Sequence, residues 1–377
     1  MSANFKIRIV QPVILEYRVA LYDGLARRYG DKLEVWAADR VGQHISLPLK
    51  DVKYDYSHSI NIKHGIWTQK GLSLDGLKRG DVLVVSGDVH NVSSLRMAIR
   101  AKSRGIKVVW WGQLWSASST KFKVAVRLFI AKQVSDVFLC YTNKGASYLK
   151  AHGFEGCRVF ATGNTIDQKP VKAAAAEWDN EKLLRFQSQK EIAGKNLLLL
   201  CGVLKPKVKL RLLIQAMADR RMIAADTVLA IIGDGDTKKA NVELAKALGI
   251  SDRVIWIDAT RDQQIMAPWF LSAKVYVYPG SIGLSILHAF SYGLPVVTHG
   301  NADHQMPEFE VMEDGKTGLV FEEENVDDMI EKVVSLLKDR DRLTRMKKYC
   351  MEKASSSYSM DNMVDNFCNA IDRAAEC

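Results

Sequence analysis

Residues 278–297 read YPGSIGLSILHAFSYGLPVV. A short apolar run, Val275 to Tyr278, stops at Pro279-Gly-Ser-Ile-Gly283, and a helical pattern follows from Leu284 to Ser291. Gly293 closes that pattern, and Pro295 to His299 is again strand-like. Strand, glycine turn, helix and strand in this order make a βαβ unit with a parallel sheet. Ligands of such sheets sit beyond the carboxyl ends of the strands, where this turn falls. Its glycines allow close backbone approach, and the helix start favours negative charge, so a phosphate is the natural occupant. A tight strand-to-helix turn without a ligand fits the spacing equally well.

The alternation extends in both directions. Towards the C-terminus of the chain, helices are expected over 327–337, 342–356 and 360–375. Upstream, strands are expected at 196–201, 227–232 and 254–257, with helices at 210–218 and 239–248 between them. An earlier series has strands at 5–10, 33–37, 81–86, 107–111, 137–141 and 159–161 and helices at 18–29, 93–103, 121–133 and 143–152. In the helix over 121–133, Phe122, Ala125, Val126, Phe129 and Ile130 form the apolar stripe expected to face the core. Two successive doubly wound α/β units follow: residues 1–168, a linker and helix over 169–190, and 191–356. A closing helix lies in 357–377.

The chain of 377 residues is 47% hydrophobic and 25% charged, which suits two soluble domains. No run of 18 uncharged apolar residues is present, and the N-terminus lacks a signal-peptide pattern, so a cytoplasmic protein is expected. Six cysteines stand apart without CxxC spacing, so no zinc or dithiol site and no metal is expected. The net charge of +10 is uneven: residues 1–168 carry 25 Lys and Arg against 13 Asp and Glu. No acid falls between Asp88 and Asp136, where Arg96, Arg100, Lys102, Arg104, Lys107, Lys121, Lys123, Arg127 and Lys132 all lie. Charge of this kind bears on partners. The candidates are an anionic membrane surface, met by Lys121, Lys123, Arg127 and Lys132, a phosphorylated acceptor, or nucleic acid, which no motif supports.

The segment 278–297 resembles the signature of retaining glycosyltransferases with the GT-B fold. Four further segments agree in order: Asn164-Thr-Ile-Asp167, the loop and helix from Gly202 to Ala216, Ile231-Ile-Gly-Asp-Gly235, and Pro307-Glu308 followed by Asp314-Gly-Lys-Thr-Gly-Leu319. The likeness is closest to bacterial polysaccharide and lipopolysaccharide enzymes. It implies two Rossmann-like domains facing a central cleft, the first binding an acceptor and the second a nucleotide sugar, with the last helix packing back on the first domain. It implies transfer from a UDP- or GDP-linked sugar to a saccharide or lipid-linked acceptor, with retention of configuration, no metal and no cofactor. The setting would be the inner face of the membrane. On this resemblance, Gly202, Lys205, Lys209, Gly233, Gly280, Ser281, Ile282, Gly283, Leu284 and His288 line the donor site. Glu308 and His90 stand beside the donor sugar. Arg18, Trp111 and Trp115 lie on the acceptor side.

Two departures stand out. The family has two glutamates around the glycine turn where this chain has Gly280 and His288. It has an arginine and a lysine on the diphosphate where this chain has Val203 and Val208, with Lys205, Lys207 and Lys209 around them. A nucleotide-sugar epimerase of the same fold, or a non-catalytic glycosyltransferase-like subunit, are the other readings.

Overall fold

The computed structural model describes residues 5–41, 44–50, 52–58, 60–63, 66–113 and 121–377. It divides into two compact units, Met1–Thr165 with Met360–Cys377, and Ile166–Ser359.

The first unit is built on seven parallel strands: β1 (Ile7–Val10), β2 (Leu33–Ala38), β3 (Lys53–His58), β4 (Val82–Ser86), β5 (Lys107–Trp111), β6 (Val137–Cys140) and β7 (Val159–Ala161). Their order in the sheet is β7-β6-β5-β4-β1-β2-β3. The central strands are buried and, apart from Arg8 and Ser86, apolar, because helices cover both faces of the sheet. These helices include α1 (Glu16–Tyr29), α2 (Val92–Ser103), α3 (Lys121–Val134) and α4 (Asn143–Ala151).

The second unit opens with α5 (Gln168–Ala176) and α6 (Asn180–Gln189). Residues 169–190, expected as a linker with one helix, are therefore two helices, and they belong to this unit. Val171 and Ala174 enter its core, and Phe186 stacks edge-on against Trp269 at 4.9 Å. The apolar faces of the two helices require burial, which a free linker would not supply. The sheet has six parallel strands: β8 (Asn196–Cys201), β9 (Thr227–Ile232), β10 (Val254–Ile257), β11 (Val275–Tyr278), β12 (Val296–His299) and β13 (Gly318–Phe321). Their order is β10-β9-β8-β11-β12-β13. Around them lie α7 (Leu210–Met217), α8 (Arg220–Ala224), α9 (Lys238–Ala247), α10 (Gln263–Ser272), α11 (Ser285–Ser291), α12 (Val326–Lys338) and α13 (Arg340–Ser355).

The last helix, α14 (Met360–Glu376), returns to the first unit. Met363, Phe367, Ile371 and Ala374 form its buried stripe. Each large apolar side chain there contributes about 1.5–3 kcal/mol. Gly24 of α1 admits the helix: a Cβ there would lie 2.4 Å from Val364. Tyr29 donates its hydroxyl to Asp372 at 2.8 Å, and Arg28 pairs with the same carboxylate at 3.0 Å.

The stripe expected on α3 is corrected. Val124, Leu128, Ala131 and Val134 are buried against the α2 side of the core. Phe122 and Phe129 are 78% and 66% exposed, and Ala125 and Val126 are also exposed. Both stripes have helical spacing, and packing selects the smaller, branched one.

Candidate active site in the second unit

In a sheet of order 3-2-1-4-5-6, the chain reverses its winding between the two central strands, and a crevice opens at their carboxyl ends. Here those strands are β8 and β11. They share register only at Leu198 with Val275 and Leu199 with Tyr276. Beyond that, the Tyr276 hydroxyl occupies the gap, donating to the Cys201 carbonyl at 2.7 Å and accepting the Cys201 N–H at 3.2 Å. Gly202 follows one strand and Pro279-Gly280 the other, so both expected donor loops flank the switch point.

The loop 202–209 is wedged between its neighbours by backbone contact. A Cβ on Gly233 would lie 2.1 Å from the Gly202 carbonyl oxygen, and one on Gly280 would lie 1.9 Å from that of Lys207. Leu204 donates its N–H to Asp234 at 2.9 Å, and its carbonyl accepts the Thr237 hydroxyl at 2.9 Å. These glycines are places where two loops touch.

The turn itself is tied down from two sides. The Ser281 N–H donates to the Lys207 carbonyl at 3.0 Å, and the Ser281 hydroxyl donates to the His304 carbonyl at 2.5 Å. The Ile282 N–H donates to Gln305 Oε1 at 2.7 Å, while Gln305 Nε2 donates to Thr298 and to the His299 carbonyl. The amides of Ser281 and Ile282, expected to hold a diphosphate, are thus engaged inside the unit. Among the described residues, those of Gly283 and Leu284 make no such bond. Glu308 is buried, on a short turn over Pro307–Val311, with Oε2 3.9 Å from where a Cβ on Gly283 would stand. Glu308 and the glycine turn therefore meet. Gln305 was not singled out from sequence; only its place three residues before Glu308 marks it.

His288 lies on α11 against α10. Its Nε2 is 2.9 Å from Gln263 Oε1, which also accepts the Tyr292 hydroxyl at 3.0 Å. The ring packs on Phe270 with centroids 4.5 Å apart. Burial pushes its pKa down to about 4, so the imidazole is neutral near pH 7. The Nε2–H then donates to Gln263, leaving the Nδ1 lone pair as an acceptor. A proton bound by the unfolded chain below pH 6.5 is refused by the folded one, so stability is full above that pH and falls as pH drops towards 4. His288→Gln is expected to flatten this loss, by about 2 kcal/mol at pH 5, in thermal melts between pH 7.5 and 5.

The lysines of the loop separate. Lys209 has a left-handed backbone, φ +54°. Its Nζ pairs with Glu323 at 2.6 Å and Glu324 at 2.5 Å. Burial opposes its charge, yet those two carboxylates outweigh it and raise its pKa. Burial likewise works against Glu323, but Lys209, His304 and Asn301 hold it at about 2. Lys209 is consequently committed inside the unit. Lys205 is exposed and has no ion-pair partner among the described residues, beside a shallow pocket that Thr237 and Glu324 also line. Val208 is fully buried and Val203 exposed.

The candidate residues of the first unit stand as follows. His90 is exposed after β4, with Nδ1 2.9 Å from Asp88 Oδ1, which orients the ring. Trp111 is buried, edge-on to Phe367 at 4.8 Å, so it is no open platform for a sugar. Trp115 lies outside the described residues. Arg18 is buried over the Trp111 ring at 4.6 Å. Of the basic residues on α3, Lys132 is exposed and donates to the Gly153 carbonyl at 3.0 Å, and Arg127 is half-buried. The side chains of Lys121 and Lys123 lie outside the described ones.

Residues 182–353 match the family Glycosyl transferases group 1. A GDP-mannose-dependent alpha-(1-6)-phosphatidylinositol monomannoside mannosyltransferase of Mycolicibacterium smegmatis is 25% identical over 178 residues, 45% of each chain. A poly(glycerol-phosphate) alpha-glucosyltransferase of Bacillus subtilis is 30% identical over 115 residues, 30% of this chain and 16% of that protein. The chain thus spans less than half the length of the curated relatives it matches. The Anabaena protein HepE, solved with UDP, superposes with a TM-score of 0.71 at 13% identity, covering 98% of this chain and 100% of its own. The architecture is GT-B, and the segment 182–353 is similar to the group 1 glycosyl transferases.

Proposed function

We propose that the protein transfers a sugar from a UDP- or GDP-linked donor to a saccharide or lipid-linked acceptor, with retention of configuration, in cell-surface polysaccharide synthesis. The observation that carries this reading is the meeting of the Gly202 loop, the Gly280–Leu284 turn and Glu308 at the switch point of a group 1 domain. In this reading the amides of Gly283 and Leu284 and the ammonium of Lys205 take the diphosphate. Glu308 accepts a sugar hydroxyl, and His288 Nδ1 accepts one ribose hydroxyl in place of a glutamate. Catalysis rests on positioning and on neutralising the leaving diphosphate. His90, oriented by Asp88, is assigned to the donor sugar by resemblance.

Calorimetric titration with UDP and with GDP tests the donor site, and the anomeric configuration of the product tests retention. Lys205→Ala is expected to weaken nucleotide binding roughly tenfold at unchanged melting temperature. Lys209→Ala is expected to act the other way: a melting temperature lower by a few degrees, with affinity changed less, because Glu323 and Glu324 lose their counter-charge. The reverse pattern would move the phosphate role to Lys209. A non-catalytic subunit is favoured by one observation, the commitment of Lys209 beside a buried Val208. No binding of either nucleotide at millimolar concentration would select that reading.

The acceptor is assigned to an anionic membrane surface. Support comes from the exposed Phe122 and Phe129 on a helix within a stretch free of acids. Both relatives named above carry phosphate-bearing acceptors in their names.

A further inference from the structure

We propose that Arg18 forms the anion subsite of the first unit, taking an oxyanion, phosphoryl or carboxylate, carried by the acceptor. The word acceptor rests on the transferase reading; the anion site itself does not.

Arg18 is only 9% exposed, yet no carboxylate among the described residues pairs with it, and its Nη1 has no hydrogen-bond partner. A guanidinium shut away from water without a counter-charge is costly, and folded proteins rarely keep one without use. Its surroundings are aromatic. The guanidinium carbon lies 4.6 Å from the Trp111 ring centre, 5.0 Å from that of Tyr17 and 5.6 Å from that of Tyr141. Rings stabilise a cation over their faces without accepting its N–H groups there, so Nη1 of the guanidinium fork stays unspent. A planar or tetrahedral oxyanion fits that fork.

Among the described residues, two further donors of this unit stand unpaired. Trp111 Nε1 belongs to the ring that covers Arg18, and Gln11 Nε2 lies on the segment joining β1 to α1; neither has a partner. Trp111 ends β5, Tyr141 follows β6 and Arg18 lies in the first turn of α1 after β1, at the carboxyl edge where doubly wound sheets take ligands. The surrounding field has the right sign, since residues 89–135 contain no acid.

The test follows Trp fluorescence of the full chain, without nucleotide, during titration with inorganic phosphate and separately with acetate. Saturable change is expected with at least one of them, weakened at least tenfold in Arg18→Met. The apolar variant keeps the packing in the cage, so it should melt at or above the temperature of the parent. Acetate preferred over phosphate, with the same Arg18 dependence, names a carboxylate-bearing acceptor. An unchanged titration in Arg18→Met would overturn the proposal, as would no response of the parent to either anion at 100-fold over micromolar protein. Competition by UDP would give the anion to the donor and overturn the acceptor assignment. Should Arg18→Met fail to fold, Arg18→Lys serves: it keeps the charge, loses the fork, and should bind phosphate several-fold more weakly. Failure of UDP and GDP to bind leaves these outcomes untouched, so the two readings fail separately.

Discussion

Gly280→Glu, which places the family's own residue at its expected register, is predicted to weaken donor binding at least tenfold. The first side-chain carbon at this position would stand 1.9 Å from the Lys207 carbonyl oxygen and 2.7 Å from the Val208 carbonyl carbon. These are backbone atoms, so no rotamer relieves the contact. The loop 202–209 would have to lift off the turn, breaking the 3.0 Å bond from the Ser281 N–H to Lys207. Overpacking of this kind costs about 1–3 kcal/mol or more. A unit of this size should lose roughly 4–10 °C in melting temperature. Lys205 rides on the same loop, so affinity for UDP or GDP should fall by at least tenfold. Gly280→Ala should show most of both effects, because the clash begins at Cβ. Calorimetry and thermal melts read them together. A folded Gly280→Glu that binds the nucleotide more tightly would contradict the loop packing described above.

The second large effect is expected at the surface. Phe122→Asp with Phe129→Asp should detach the protein from vesicles of phosphatidylcholine and phosphatidylglycerol. Burying each phenyl ring at the interface is worth about 1.5–3 kcal/mol, so the pair amounts to roughly a hundredfold or more in partition coefficient. Both rings are already exposed, so the folded state loses little and the melting temperature should hold. Binding of the parent should weaken with added salt, since basic residues contribute about 1 kcal/mol each near an anionic leaflet. Sedimentation with vesicles measures both. Equal partition of parent and variant would remove the membrane from the account of this helix.

Much of the second unit was legible in the sequence because its signals are local. Apolar runs at 196–201, 227–232 and 275–278, the pattern a buried parallel strand demands, end at Gly202, Gly233 and Pro279-Gly280. The motif order then assigned the loops to one edge of one sheet, where they are found. The first unit was legible as strands and helices, but not in its helix faces. On α3, Phe122, Val126 and Phe129 share one stripe and Val124, Leu128, Ala131 and Val134 another. Periodicity serves both equally, and only the shape of the α2 side of the core chooses between them.

The lysines teach the same lesson at closer range. Lys205, Lys207 and Lys209 are equivalent by spacing. Glu323 and Glu324, more than a hundred residues later, commit one of them. The His288 ring is set by Gln263 and Phe270, and the Ile282 amide by Gln305. Arg18 is assembled with Trp111 and Tyr141 from three strand ends. By itself, then, the sequence determined the strand and helix order, the glycine turn at 278–297 and the fold they imply, since each depends on residues a few positions apart. The tertiary structure alone decided which amides of that turn remain free, which lysine is unspent and which face of α3 meets solvent. Those depend on hydrogen bonds, counter-charges and packing partners brought together by the chain from far apart.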